Sequence, residues 1–160
     1  MRAIAGTATA WQAAGKAPGR ADCSGFVSAV LAHEGLVDAG GARAQWLRAV
    51  KEKRVGTGRP PVGALAFFDR TWDSNGNGKV DDTLTHVGVV VGVDADGRVA
   101  IADRQGGKIA LSYMDLAQPS THARAGKVRN SFVRSPRYGP HDGPRLTGEL
   151  FHGWTYPPGR

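Results

Sequence analysis

The sequence predicts an α+β domain, with helices first and an antiparallel sheet after, rather than a doubly wound fold. Three observations carry this. Asp22 precedes Cys23, Phe26, Val27, Val30 and Leu31, a cap followed by an apolar helical stripe. His86 to Val93 alternates as a strand, and Asp94-Ala95-Asp96-Gly97 then reads as a hairpin turn into a returning strand, Arg98 to Asp103.

In order along the chain, Thr7 to Ala14 is rich in alanine and closes at Gly15, which predicts the first helix. The Asp22-capped helix runs from Cys23 until Gly35, and a third is expected over Ala42 to Lys53, with Trp46, Leu47 and Val50 on one face. After Pro60-Pro61 the pattern changes, and Gly63 to Phe68 is a short apolar run fenced by turn residues, as in a buried strand. Lys108 to Leu111 and Val128 to Val133 predict two more strands. Ser135 to Pro144 is turn-rich, and Leu146 to Trp154 is expected to dock back as a short helix.

Composition narrows the function classes. A chain of 160 residues, 41 % hydrophobic and 22 % charged, suits one folded domain spanning residues 1–160 and argues against disorder. No apolar run approaches the ~20 residues of a membrane span. The first residues have no signal-peptide core, so either the protein stays where it is made or a leader precedes Met1. One cysteine excludes a disulfide framework and a multi-thiolate zinc site. The net charge of +7 favours an anionic partner. No basic helix interleaved with aromatic residues is present, so nucleic acid is not expected.

Cys23 stands in the first turn of its helix, where the dipole and the unpaired N–H groups favour thiolate and can stabilise an oxyanion. Ser24 and Gly25 follow with small side chains, leaving room for a substrate. A nucleophilic thiol needs a base, and of the five histidines only His86 opens a convincing central strand. Alternation puts valines 87, 89, 91 and 93 on a core face and His86, Gly88, Val90 and Gly92 on the other. The glycines leave that second face open to close approach by a helix end carrying Cys23. Closing the hairpin over four residues pairs Val93 with Arg98, which sets Gly88 opposite Asp103 and His86 opposite Gln105. Asp103 or Gln105 can then orient the imidazole, with Asp103 the expected third member.

These residues resemble the NlpC-type cell-wall peptidases, papain-like cysteine hydrolases related to the CHAP amidases and to secreted amidase effectors. The family's Asp-Cys-Ser-Gly-Phe-Val stands intact as Asp22-Cys23-Ser24-Gly25-Phe26-Val27. Its Gly-Asp-Leu-Val-Phe-Phe strand is similar to Gly63-Ala64-Leu65-Ala66-Phe67-Phe68, with Ala64 for the aspartate, and its His-Val-Gly-Ile-Tyr-Val-Gly strand to His86 through Gly92. The resemblance implies a papain-like fold, N-terminal helices packed on a central antiparallel sheet, with Cys23 as nucleophile and His86 as base. The family's usual third residue, a histidine, is missing from Ala100-Ile101-Ala102-Asp103, so Asp103 or Gln105 substitutes or the site is a dyad. Trp11 stands where the family often has a tyrosine serving the oxyanion hole, and its indole N–H can donate. Asp22, Ser24 and Gln105 complete the expected oxyanion and substrate-binding set.

Asp73, Asn75, Asn77 and Asp81 also fall at the ligand spacing of a calcium loop, although Leu84 occupies the position of the closing glutamate. The same stretch reads also as a polar Asx-rich turn joining two strands, and that reading is the favoured one. A calcium ion over 73–82 would be structural, fixing the loop that delivers His86; no cofactor is required for the chemistry. The whole implies a monomeric thiol peptidase or amidase acting on peptidoglycan stem peptides in the periplasm, the cell envelope or outside the cell. The rivals are a catalytically silent wall-binding module and a thiol acyltransferase or transpeptidase.

Overall fold

In the computed structural model, which describes residues 1–134 and 145–159, three helices cover one face of a six-stranded antiparallel sheet. The helices are α1 (Arg2–Ala14), α2 (Cys23–His33) and α3 (Ala42–Lys51). The strands are β1 (Val55–Gly56), β2 (Leu65–Phe68), β3 (His86–Val93), β4 (Val99–Gln105) and β5 (Lys108–Met114). A separate ribbon follows, β6 (Ala123–Arg124) with β7 (Lys127–Val128), then α4 (Thr147–Leu150) and β8 (Phe151–Thr155). The main sheet runs β1-β8-β2-β3-β4-β5. This is the α+β architecture expected of a papain-like domain. The turn-rich segment Ser135 to Pro144 lies outside the described residues.

The central strands are buried on both faces, which explains the unbroken apolar run at β2. On the helix side, Phe26, Val27, Val30 and Leu31 of α2 pack against Leu65, Phe67, Val87 and Val89. Ala66, Phe68, Val90, Ile101 and Met114 form a second cluster on the opposite side. Each fully buried Phe, Leu, Ile or Val contributes roughly 1.5–3 kcal/mol, so the helix that begins at Cys23 is held mainly by its own apolar stripe.

Several expectations need correction. α1 begins at Arg2, not Thr7, because Ile4 and Ala5 already bury against the core. α3 is rotated from the face the apolar residues suggest: Leu47 and Val50 are 54 % and 49 % exposed, whereas Gln45 is fully buried. The Gln45 amide decides the rotation, donating from Nε2 to Asp38 O at 3.0 Å and to Ser28 Oγ at 3.1 Å. Of the predicted strand Val128–Val133, only Val128 lies in a strand, β7, which pairs with β6 outside the main sheet, while Phe132 makes an isolated bridge to Leu146. Leu146 to Trp154 is helical for one turn only. Its aromatic half, Phe151–Thr155, becomes β8 and inserts between β1 and β2.

The hairpin is one residue longer than expected, pairing Val93 with Val99. An irregularity between Val90 and Gly92 absorbs the extra residue, so Gly88 faces Asp103 after all. The ladder stops there and does not include a His86–Gln105 pair. Gly88 does admit a close neighbour, but it is the adjacent strand rather than the Cys23 helix. A Cβ at Gly88 would lie 2.6 Å from Ile101 Cγ2 and 3.0 Å from Asp103 Cβ. α2 packs on the valine side instead.

Candidate active site

The position of Cys23 is set by local capping chemistry. Asp22 is extended, and its Oδ1 accepts the Gly25 N–H at 2.6 Å, which makes Cys23 the first helical residue. Ser24 Oγ donates to the same Oδ1 at 3.1 Å and accepts from Arg20 Nη2 at 3.0 Å. Arg20 Nε pairs with Asp22 Oδ2 at 3.2 Å. Gly25 is required by this fold-back: a Cβ there would sit 2.6 Å from Arg20 O.

His86, the first residue of β3, is buried against Phe68. Its Nε2 lies 2.8 Å from Asp103 Oδ2, which leaves Nδ1 to exchange a proton with a thiol. Asp103 is 1 % exposed, a costly place for a carboxylate unless donors surround it. They do. Gln105 Nε2 donates to Oδ2 at 2.8 Å, and Ser112 Oγ lies 3.1 Å from Oδ1. Gln105 Nε2 also donates to Ser112 Oγ at 3.1 Å, closing the network.

Charge coupling runs through this arrangement. Burial raises the Cys23 thiol, but the His86 charge and hydrogen bond, helped by the backbone amides of Val87 and Ser24, outweigh it and hold the pKa below the ordinary thiol value. Burial opposes the His86 imidazolium, yet the Cys23 thiolate, followed by Asp103, pushes its pKa up to about 10. The charged form of each group thus stabilises that of the other, the coupling on which a thiolate–imidazolium pair rests. The thiol opens onto a cleft of about 590 Å³ whose walls include Arg20, Arg43, Trp72, Arg104 and Gln105.

Of the residues singled out in the sequence, Cys23, His86, Asp22, Ser24 and Gln105 line this cleft, with Asp103 directly behind His86. Ser24 and Asp22 spend their side chains on capping, and Gln105 spends its amide on Asp103. Trp11 is not brought to the cleft. Its ring packs edge-on against Phe26 and His33, at centroid distances of 6.5 and 5.6 Å, within the contact between α1 and α2. Asp73 accepts the Gly76, Asn77 and Gly78 N–H groups, and Asp82 those of Ser74 and Asn75. Asn75 and Asn77 accept further loop amides, and Asp81 meets Asn77 Nδ2 at 3.4 Å. Among the described residues no three His, Cys, Asp or Glu side chains gather as metal ligands.

Ser112 was missed because β5 runs three residues past its predicted end. Extending the strand by alternation would have placed Ser112 on the face of Ala110, the partner of Asp103.

A family model described as CHAP domain matches residues 6–105, from α1 to the end of β4. This chain belongs to the CHAP family. CHAP domains are generally cell-wall hydrolases, so membership supports an enzyme related to peptidoglycan. The matched region of this CHAP domain contains Cys23, His86 and Asp103, whereas Ser112 lies beyond it. No curated protein and no solved structure matches the chain. Among the described residues no helix is long and apolar enough to cross a membrane.

Proposed function

We propose that this CHAP domain is a cysteine peptidase or amidase that hydrolyses amide bonds in peptidoglycan stem peptides through an acyl-enzyme on Cys23. The observation that carries the reading is the linked series Cys23, His86, Asp103, in which a buried imidazole is held protonated beside a thiol of lowered pKa. The Cys23 thiolate attacks the amide carbonyl carbon, and N–H groups in the first turn of α2 not taken by Asp22 stabilise the oxyanion. Collapse of the tetrahedral intermediate breaks the C–N bond as imidazolium His86 gives its proton to the leaving amine. Neutral His86 then takes a proton from water, whose oxygen attacks the thioester carbonyl. The C–S bond breaks, the acid product leaves, and the thiolate–imidazolium pair is restored. Asp103 keeps the ring oriented through Nε2 throughout.

Such an enzyme meets its substrate in the periplasm, in the envelope or outside the cell, which is the compartment we expect. Incubating purified sacculi with wild type and with Cys23→Ala tests the reading. Release of new amine termini by wild type alone supports hydrolysis. Binding without release points to a silent module, and exchanged or cross-linked products point to acyl transfer; either overturns it.

A further inference from the structure

The side chains lining the cleft bring three guanidiniums, those of Arg20, Arg43 and Arg104, against one carboxylate, Asp22. Arg20 and Asp22 satisfy each other. Arg104 alternates away from Asp103 on β4 and so projects to the helix side of the sheet, next to the loop that precedes Cys23. There its Nε donates to Gly107 O at 3.0 Å and its Nη1 to Arg20 O at 3.3 Å. A guanidinium has five N–H donors, so most of this fork is left over, and no carboxylate among the described residues takes it. Arg43, at the start of α3, reaches the Thr83 hydroxyl at 3.4 Å and likewise has no carboxylate partner among the described residues.

A single exposed arginine without a counter-charge is ordinary. Two in one concave site beside a nucleophile make a field that draws anions in, because the low-dielectric walls concentrate it. We propose that Arg43 and Arg104 bind a free carboxylate of the peptide held in the cleft, so that the enzyme selects stem peptides with free carboxylates over their amidated counterparts. The inference rests on the hydrolase reading above. A carboxylate accepts paired N–H bonds from a guanidinium, whereas a carboxamide has no charge and turns an NH2 against the same donors. Losing a hydrogen bond of this charged kind costs about tenfold or more in binding.

Two synthetic stem peptides, identical except that their carboxylates are free in one and amidated in the other, provide the test. Wild type is expected to favour the free form by about tenfold in kcat/KM, chiefly through KM. Arg43→Gln with Arg104→Gln together should bring the ratio near one, and Arg104→Lys should restore part of it. Equal cleavage of both peptides by wild type overturns the inference. If neither is cleaved, the hydrolase reading fails, and alkylation of Cys23 still decides the charge argument. Iodoacetate and iodoacetamide differ by the same replacement of carboxylate with carboxamide, and His86 is common to wild type and variant. The iodoacetate-to-iodoacetamide rate ratio should fall about threefold or more in the double variant, and an unchanged ratio overturns the proposal.

Discussion

Replacing Asp103 by Asn leaves an oxygen for the His86 Nε2–H and removes the negative charge behind the ring. In the wild type that carboxylate accepts at 2.8 Å and is one of the forces that push the His86 pKa up to about 10. A hydrogen bond to a charged group contributes about 1.5–3 kcal/mol and a neutral one about half of that. The difference, about 1 kcal/mol, corresponds to about one pH unit or somewhat less. The direction follows from the two roles. Catalysis needs His86 protonated and Cys23 ionised, so the active window lies above the lowered Cys23 pKa and below the raised His86 pKa. With the charge gone, the alkaline limb moves down by about one pH unit. The acid limb moves up, because a less stable imidazolium supports the thiolate less. Amine release from sacculi against pH reads the alkaline limb, and the pH dependence of iodoacetamide modification reads the acid one. Profiles of Asp103→Asn that superimpose on wild type, with an unchanged thermal midpoint, would refute the coupling of Asp103 to the pair.

Gly25→Ala should destabilise by about 1–3 kcal/mol in urea unfolding, since its Cβ would strike Arg20 O at 2.6 Å and push the 20–22 loop off the helix start. Loss of rapid alkylation at Cys23 should accompany it; a variant as stable and as reactive as wild type would disprove the fit. Gln45→Ala should cost about 2 kcal/mol from its buried hydrogen bonds and the cavity left behind, whereas Leu47→Ala stays within about 0.5 kcal/mol. The reverse order in denaturant melts would mean that α3 faces the other way. Because Asp73 and Asp82 are already engaged with loop amides, EDTA should leave the thermal midpoint unchanged. A fall of several degrees would show that an ion, rather than the backbone, holds loop 73–82.

What the sequence disclosed divides along physical lines. Asp22 and Cys23 could be placed because capping is local chemistry, settled within four residues of chain. The proximity of Asp103 and His86 was also legible, since hairpin register depends on neighbouring residues. Here a turn longer by one was cancelled by the irregularity at Val91. Ser112 was within reach of alternation only if β5 had been carried past Leu111, and what carries it there is pairing with Ile101 on another strand. Trp11 shows the same limit. Its neighbours depend on the angle at which two helices cross, which no spacing in the chain encodes. Leu47 and Val50 misled because a buried amide network, invisible to hydrophobic patterning, outweighed two apolar side chains.

The last strand in chain order is an inner strand of the sheet. β8 hydrogen-bonds to β1 on one side and β2 on the other. Until residues 151–155 have emerged from the ribosome, Leu65–Phe68 therefore presents a bare apolar edge, the kind that recruits strands from neighbouring chains. The cysteine helix and the histidine strand are synthesised long before this seam can close. A chain stopped short of β8 is accordingly a seed for aggregation rather than a smaller enzyme, and safe maturation hinges on shielding that edge during the delay.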